Sequence, residues 1–197
     1  MGLPMKKSIR RLSALAFASL MASGCVGTLK DPIKGTFDGK DPVADTQFGS
    51  NPRGDLDLWG VRYTKTNVQL WAKHQVLFNP VEDPFWRGED LLTGLEWVVE
   101  SSNDTNVDFI VDAYVDSDAT RHVRVTNAHG NTTCTGTFGV NGALELAIDL
   151  DPTTCFGGIG PLRFGVSSWY ETDNELTYDE APDAPAFTGW IVPAPAA

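Results

Sequence analysis

Val107-Asp108-Phe109-Ile110-Val111-Asp112-Ala113-Tyr114-Val115-Asp116 repeats with period two. In an extended chain that period places Val107, Phe109, Val111, Ala113 and Val115 on one face and Asp108, Ile110, Asp112, Tyr114 and Asp116 on the other. The run before it has the same rhythm, with Leu95, Trp97 and Val99 against Glu96, Val98 and Glu100. The residues between, Ser101-Ser102-Asn103-Asp104-Thr105-Asn106, are turn formers, so the two runs read as an antiparallel hairpin. Outward from this hairpin the pattern continues. Val68, Leu70, Ala72, His74 and Val76 alternate with Gln69, Trp71, Lys73 and Gln75, and further strands fit residues 121–126, 133–140, 143–150 and 162–170. Asn141-Gly142 is a strong short hairpin signal and predicts that its flanking strands pair antiparallel. The apolar spacing slips from two to three between Leu58 and Val61, which predicts a bulge at Gly60. Asp151-Pro152-Thr153-Thr154-Cys155 reads as one helical turn or a tight bend. Only residues 89–98 leave helix and strand in competition. The prediction is an all-β antiparallel β-sandwich over residues 55–193, immunoglobulin-like or jelly-roll-like, with about eight or nine strands.

Upstream of this domain the character of the chain changes twice. Residues 26–54 are rich in Gly, Pro, Asp and Lys, with Asp31-Pro32, Asp41-Pro42 and Asn51-Pro52 as breakers, and they read as a flexible tether. Before them, Lys6, Lys7, Arg10 and Arg11 form a basic stretch followed by about ten mostly apolar residues, Leu12 to Met21. That length is too short to span a bilayer but suits a secretory signal. The run Met21-Ala22-Ser23-Gly24-Cys25 resembles the lipobox of bacterial lipoproteins. The resemblance implies cleavage after Gly24 and a diacylated Cys25 as the first mature residue, held at the bacterial cell envelope outside the cytoplasm. Ala22 departs from the usual Leu at its position. The alternative is an ordinary secreted cysteine behind a conventional cleavage site.

Removal of residues 1–24 takes four positive charges and no negative one, so the net charge moves from −11 to −15. A chain so acidic lacks the basic footprint needed for nucleic acid or anionic lipid headgroups. If Cys25 carries lipid, Cys134 and Cys155 remain as a pair, and an oxidising compartment favours a disulfide between them. Two buried thiols are the alternative. A zinc site is disfavoured, because no Cys-x-x-Cys or close Cys/His cluster is present.

Leu56-Asp57-Leu58-Trp59-Gly60-Val61-Arg62-Tyr63, the 95–115 hairpin, the Cys134 strand, Thr154-Cys155-Phe156-Gly157, the 162–166 strand and Gly189-Trp190-Ile191-Val192-Pro193 follow one another in an order that resembles uncharacterised secreted bacterial β-sandwich proteins. Those are similar to family-9 carbohydrate-binding and DOMON-type sandwiches. The resemblance implies a fold and leaves the function open.

No nucleophile elbow, zinc helix or phosphate-cradling loop is present in the sequence. Gly157-Gly158-Ile159-Gly160 leads into a strand and reads as a turn; His122 and His129 read as surface residues. Trp71 falls on the polar side of its strand, and Phe85-Trp86 lies in a Pro/Gly loop. Exposed, these rings could stack on a sugar; the competing reading has the loop fold back as a cap over Trp71 and one end of the sandwich. Asp104 and Asp108 sit in an Asp/Asn-rich hairpin loop that loosely resembles calcium loops, against the reading of an ordinary polar turn. Asp108, Asp112 and Asp116 share one strand face. The function expected is a non-catalytic, membrane-anchored binding or structural module for envelope glycan, with an envelope protein-protein interaction or assembly subunit as the alternative and a hydrolase third. No catalytic residue or cofactor is assigned.

Overall fold

The computed structural model describes residues 31–86, 93–102, 106–142, 145–183 and 187–195. Cys25, Asp104 and residues 89–92 lie outside the described residues. The described chain runs β1 (Ile33–Lys34), β2 (Thr36–Lys40), β3 (Leu56–Tyr63), β4 (Val68–His74), β5 (Gly94–Glu100), β6 (Phe109–Val115), β7 (Arg121–Asn127), β8 (Thr132–Gly136), β9 (Gly139–Val140), β10 (Leu146–Leu150), α1 (Pro152–Phe156), β11 (Arg163–Glu171), β12 (Leu176–Ala181) and β13 (Ile191–Val192). The fold is all-β, with two main antiparallel sheets in a sandwich-like arrangement. One sheet has the order β2-β3-β4-β10-β9 and the other β12-β11-β5-β6-β7-β8. Between them lies the core. Trp59, Val61 and Tyr63 of β3, Leu70 and Ala72 of β4 and Ile148 of β10 meet Trp97 and Val99 of β5, Val111 of β6, Val125 of β7 and Phe164 and Val166 of β11.

Alternation in the sequence predicts these faces directly. Val68, Leu70, Ala72 and His74 are all buried on the inner side of β4, as are Leu95, Trp97 and Val99 on β5. β5 and β6 pair antiparallel with Leu95 opposite Ala113 and Val99 opposite Phe109, the expected hairpin. β9 and β10 also pair antiparallel around Asn141-Gly142, although Asn141 N–H donates to the Glu145 carbonyl, so the loop is longer than two residues. The bulge falls between Leu56 and Leu58 instead of at Gly60. Leu56 therefore points inward, and after the extra residue Trp59, Val61 and Tyr63 resume the inner face. Gly60 serves another purpose: a Cβ there would stand 2.6 Å from the Trp71 ring.

The tether expected over residues 25–54 is corrected from Ile33 onward. β2 pairs with β3 from Thr36–Arg62 to Lys40–Leu58, and β1 runs parallel to β13. Residues 41–55 carry the breakers and form no strand, yet backbone groups pin them. Gln47 exchanges two hydrogen bonds with Tyr178, Asp41 N–H donates to the Asp57 carbonyl, and Asn51 N–H donates to Thr177 Oγ1. Proline at 42 and 52 breaks regular structure without freeing the chain, because the loop lies along the edge strand β12. β1, β2, β12 and β13, which alternation did not single out, and the division of the expected 133–140 strand into β8 and β9 raise the strand count among the described residues to thirteen.

Cys134 of β8 and Cys155 of α1 form a disulfide across 21 residues. The single turn α1 is specified locally. Asp151 caps it by accepting from Thr154 N–H at 2.7 Å, Pro152 opens it, and Gly157 closes it at φ +76°.

Candidate functional site

The three candidate sugar-stacking rings are not exposed together. Trp86 is 1% accessible and packs into the core against His74, Phe78 and Phe138, with ring centroids 5.6 Å apart for Phe78. Phe85 packs on the core edge-on to Tyr170 at 6.1 Å. Trp71 does lie on the outer face, but it is 5% accessible, bedded on Gly60 with the Arg62 guanidinium over its ring at 5.6 Å. The expectation of a stacking platform at Trp71, Phe85 and Trp86 is thus corrected. Phe85 and Trp86 do fold back onto the core, whereas Trp71 is covered by Arg62. Asp83 fixes their loop, since its carboxylate takes hydrogen bonds from Arg53, from the Tyr170 hydroxyl and from Phe85 N–H.

The hairpin acid Asp108 is likewise committed. Its carboxylate accepts from the N–H and hydroxyl groups of both Ser101 and Ser102, closing the turn. On the same sheet face the remaining acids are matched across strands. Asp112 meets Arg124 at 2.7 Å and Asp116 meets His122 at 2.7 Å, while Tyr114 stacks on His122. Glu96 stands beside Asp112 in register, and burial, with Asp112 second, pushes its carboxyl up to about 8. A glycosidase uses two carboxyl groups flanking the bond it cleaves. Here Asp112 is turned to Arg124, and the pair lies on a sheet face.

Two features on the loop 41–55 carry more chemistry. The first is a shallow hollow of about 570 Å³ lined by Phe48, Gly49, Ser50, Asn174 and Glu175. Phe48 is 79% accessible, the most exposed large apolar side chain described. Its ring lies 6.4 Å from Tyr178, which in turn packs on Trp169 at 4.2 Å. Glu175 holds the loop by accepting from Ser50 N–H.

The second feature is acidic. Asp41 follows β2, Asp45 lies in the loop, and Asp179 points inward from β12; one carboxylate oxygen of each lies within 4.8 Å of the other two. Asp41 and Asp179 are buried and Asp45 is exposed. Asp179 Oδ2 accepts from Leu56 N–H at 2.7 Å, which ties the edge of one sheet to the other. Buried Asp55 stands next to them, its Oδ2 accepting from Ala44 N–H. Burial and then neighbouring carboxylates push Asp41 well above the usual carboxylate range. Asp179 is also raised, first by burial and with Asp45 and Asp55 adding to it. Sequence reading missed this cluster because Asp41 and Asp45 fell in the supposed tether. The Asp41-x-x-x-Asp45 spacing was the one visible signal. Compared with protein-family models, curated proteins and solved structures, the chain matches none.

Proposed function

We propose that this protein is a lipid-anchored, non-catalytic binding module of the bacterial cell envelope, with envelope glycan as its ligand. The lipobox-like Cys25 supports the anchor, and the acidic balance of the chain argues against nucleic acid and anionic lipid. The observation that carries the ligand class is the Phe48 hollow. An exposed aromatic ring beside Asn174, Ser50 and Glu175 joins a face for stacking on a sugar to amide, hydroxyl and carboxylate groups for its hydroxyls. Phe48 takes the place that Trp71 and Trp86 leave by being buried.

A second reading, an envelope protein as partner, is favoured by the distribution of exposed apolar side chains. Val43 and Phe48 lie on the loop 41–55, while Val76, which donates to the Pro52 carbonyl, and Leu77 lie on the segment bonded to it. A glycan array probed with wild type and Phe48→Ala separates the two. Wild-type signal that falls at least about fivefold in the variant supports the glycan reading, since loss of a stacking ring is worth about a kcal/mol. A blank array, with Phe48→Ala abolishing co-purification of an envelope protein, supports the partner reading instead.

A further inference from the structure

We propose that Asp41, Asp45 and Asp179 bind a calcium ion that staples the loop 41–55 to the edge strand β12. Two of the carboxylates come from the loop 41–55 and the third from β12, and each places one oxygen within 4.8 Å of the others. Oxygens on one calcium ion, with bonds of about 2.3–2.6 Å, span that separation. All the donors are hard carboxylate oxygens, which suit calcium and do not suit zinc or copper.

An unsatisfied buried group gives independent evidence for a ligand. Asp41 is 2% accessible and its Oδ2 has no hydrogen-bond partner, although it is a carboxylate of the cluster. Asp55, 3% accessible, leaves Oδ1 unpartnered beside it. A buried polar atom left unpaired is costly, and a buried charge more so. Among the described residues no basic side chain is paired with them: the arginine ion pairs lie elsewhere, at Asp83, Asp112 and Glu100. The groups acting on Asp41 are Asp179, which also shares a side-chain hydrogen bond with it, Asp45 and Asp183, all acidic. A divalent cation would satisfy the orphan oxygen and cancel this repulsion in one step. Asp55 Oδ1 and water would fill out the six to eight ligands that calcium takes. The competing way to satisfy the cluster is a proton shared between Asp41 and Asp179.

The inference does not depend on the glycan reading, and its test does not involve a glycan. The full chain is titrated with calcium chloride and with magnesium chloride by calorimetry, and melted in EDTA and in about 10 mM of each salt. One calcium per chain is expected, with Tm at least about 5 °C higher in calcium than in EDTA and a smaller shift in magnesium. Asp45→Asn, an exposed change that leaves the core intact, should weaken calcium binding roughly tenfold or more. Asp41→Asn should abolish the calcium response, whereas Asp108→Asn should leave it unchanged. Equal Tm in EDTA and calcium with no binding heat overturns the proposal in favour of the shared proton. A calcium response that survives Asp45→Asn undiminished overturns it in favour of another site, even if Asp41→Asn fails to fold.

Discussion

Trp86 illustrates how one side chain's role depends on which way its loop turns. Its ring fills the space between His74, Phe78 and Phe138, so Trp86→Ala should cost about 3–5 kcal/mol of folding stability, read by urea denaturation. A loss below about 1 kcal/mol would mean the ring is not a core element. His74 beside it is buried and bonded through Nε2 to Ser168 Oγ at 2.9 Å, and burial pushes its imidazole down to about 3. Below pH ~6.5 the unfolded chain takes up a proton that the folded chain refuses. The stability His74 contributes is complete above that pH and falls by about 1.4 kcal/mol per unit toward pH 3. Comparing wild type with His74→Gln from pH 7 to 4 checks this, since the substitution should remove that part of the slope. Such roles were only half legible. Alternation put His74 on the inner face of β4, but nothing local to Phe85-Trp86 says whether the loop opens or folds back; that is decided by Asp83 meeting Arg53 and Tyr170, residues 30 and 87 positions away.

At the scale of elements, strands with two distinct faces could be read and strands without them could not. β4, β5 and β6 announce themselves by alternation, and α1 by Asp151-Pro152 and Gly157. β2, Thr-Phe-Asp-Gly-Lys, offers a single large apolar residue, and it exists because β3 supplies its ladder partners. A chain truncated at Asp55, where the alternation begins, would strip β3 of β2 and leave Trp59 without the Phe37 ring 5.0 Å away. That truncation should fail to fold, whereas one beginning at Asp31 should retain native circular dichroism and cooperative melting. The acidic cluster went unread for the same reason, as it depends on a loop whose order comes from β12. The disulfide was legible from cysteine arithmetic. Replacing Cys134 and Cys155 with serine should cost roughly 3 kcal/mol in the chain-entropy picture, measurable as a lower denaturation midpoint.

For the molecule as a whole, the two sheets make a stable platform whose exposed chemistry gathers on one edge. The loop 41–55 carries Phe48 and Val43 outward and Asp41 and Asp45 toward β12, so the same segment presents the proposed ligand surface and holds the proposed ion. It follows β2 directly, and β2 lies close in sequence to the proposed anchor. Calcium would stiffen the loop next to the end of the chain that carries the proposed anchor. The proposed role as a module that meets its ligand at the cell envelope rests on the proposed lipid at Cys25. Fractionation of cells expressing wild type and Cys25→Ser tests it most directly. The account predicts wild type in the membrane fraction, released by detergent and not by salt, and Cys25→Ser in the soluble extracytoplasmic fraction; Cys25→Ser sedimenting with membranes as wild type does would contradict it.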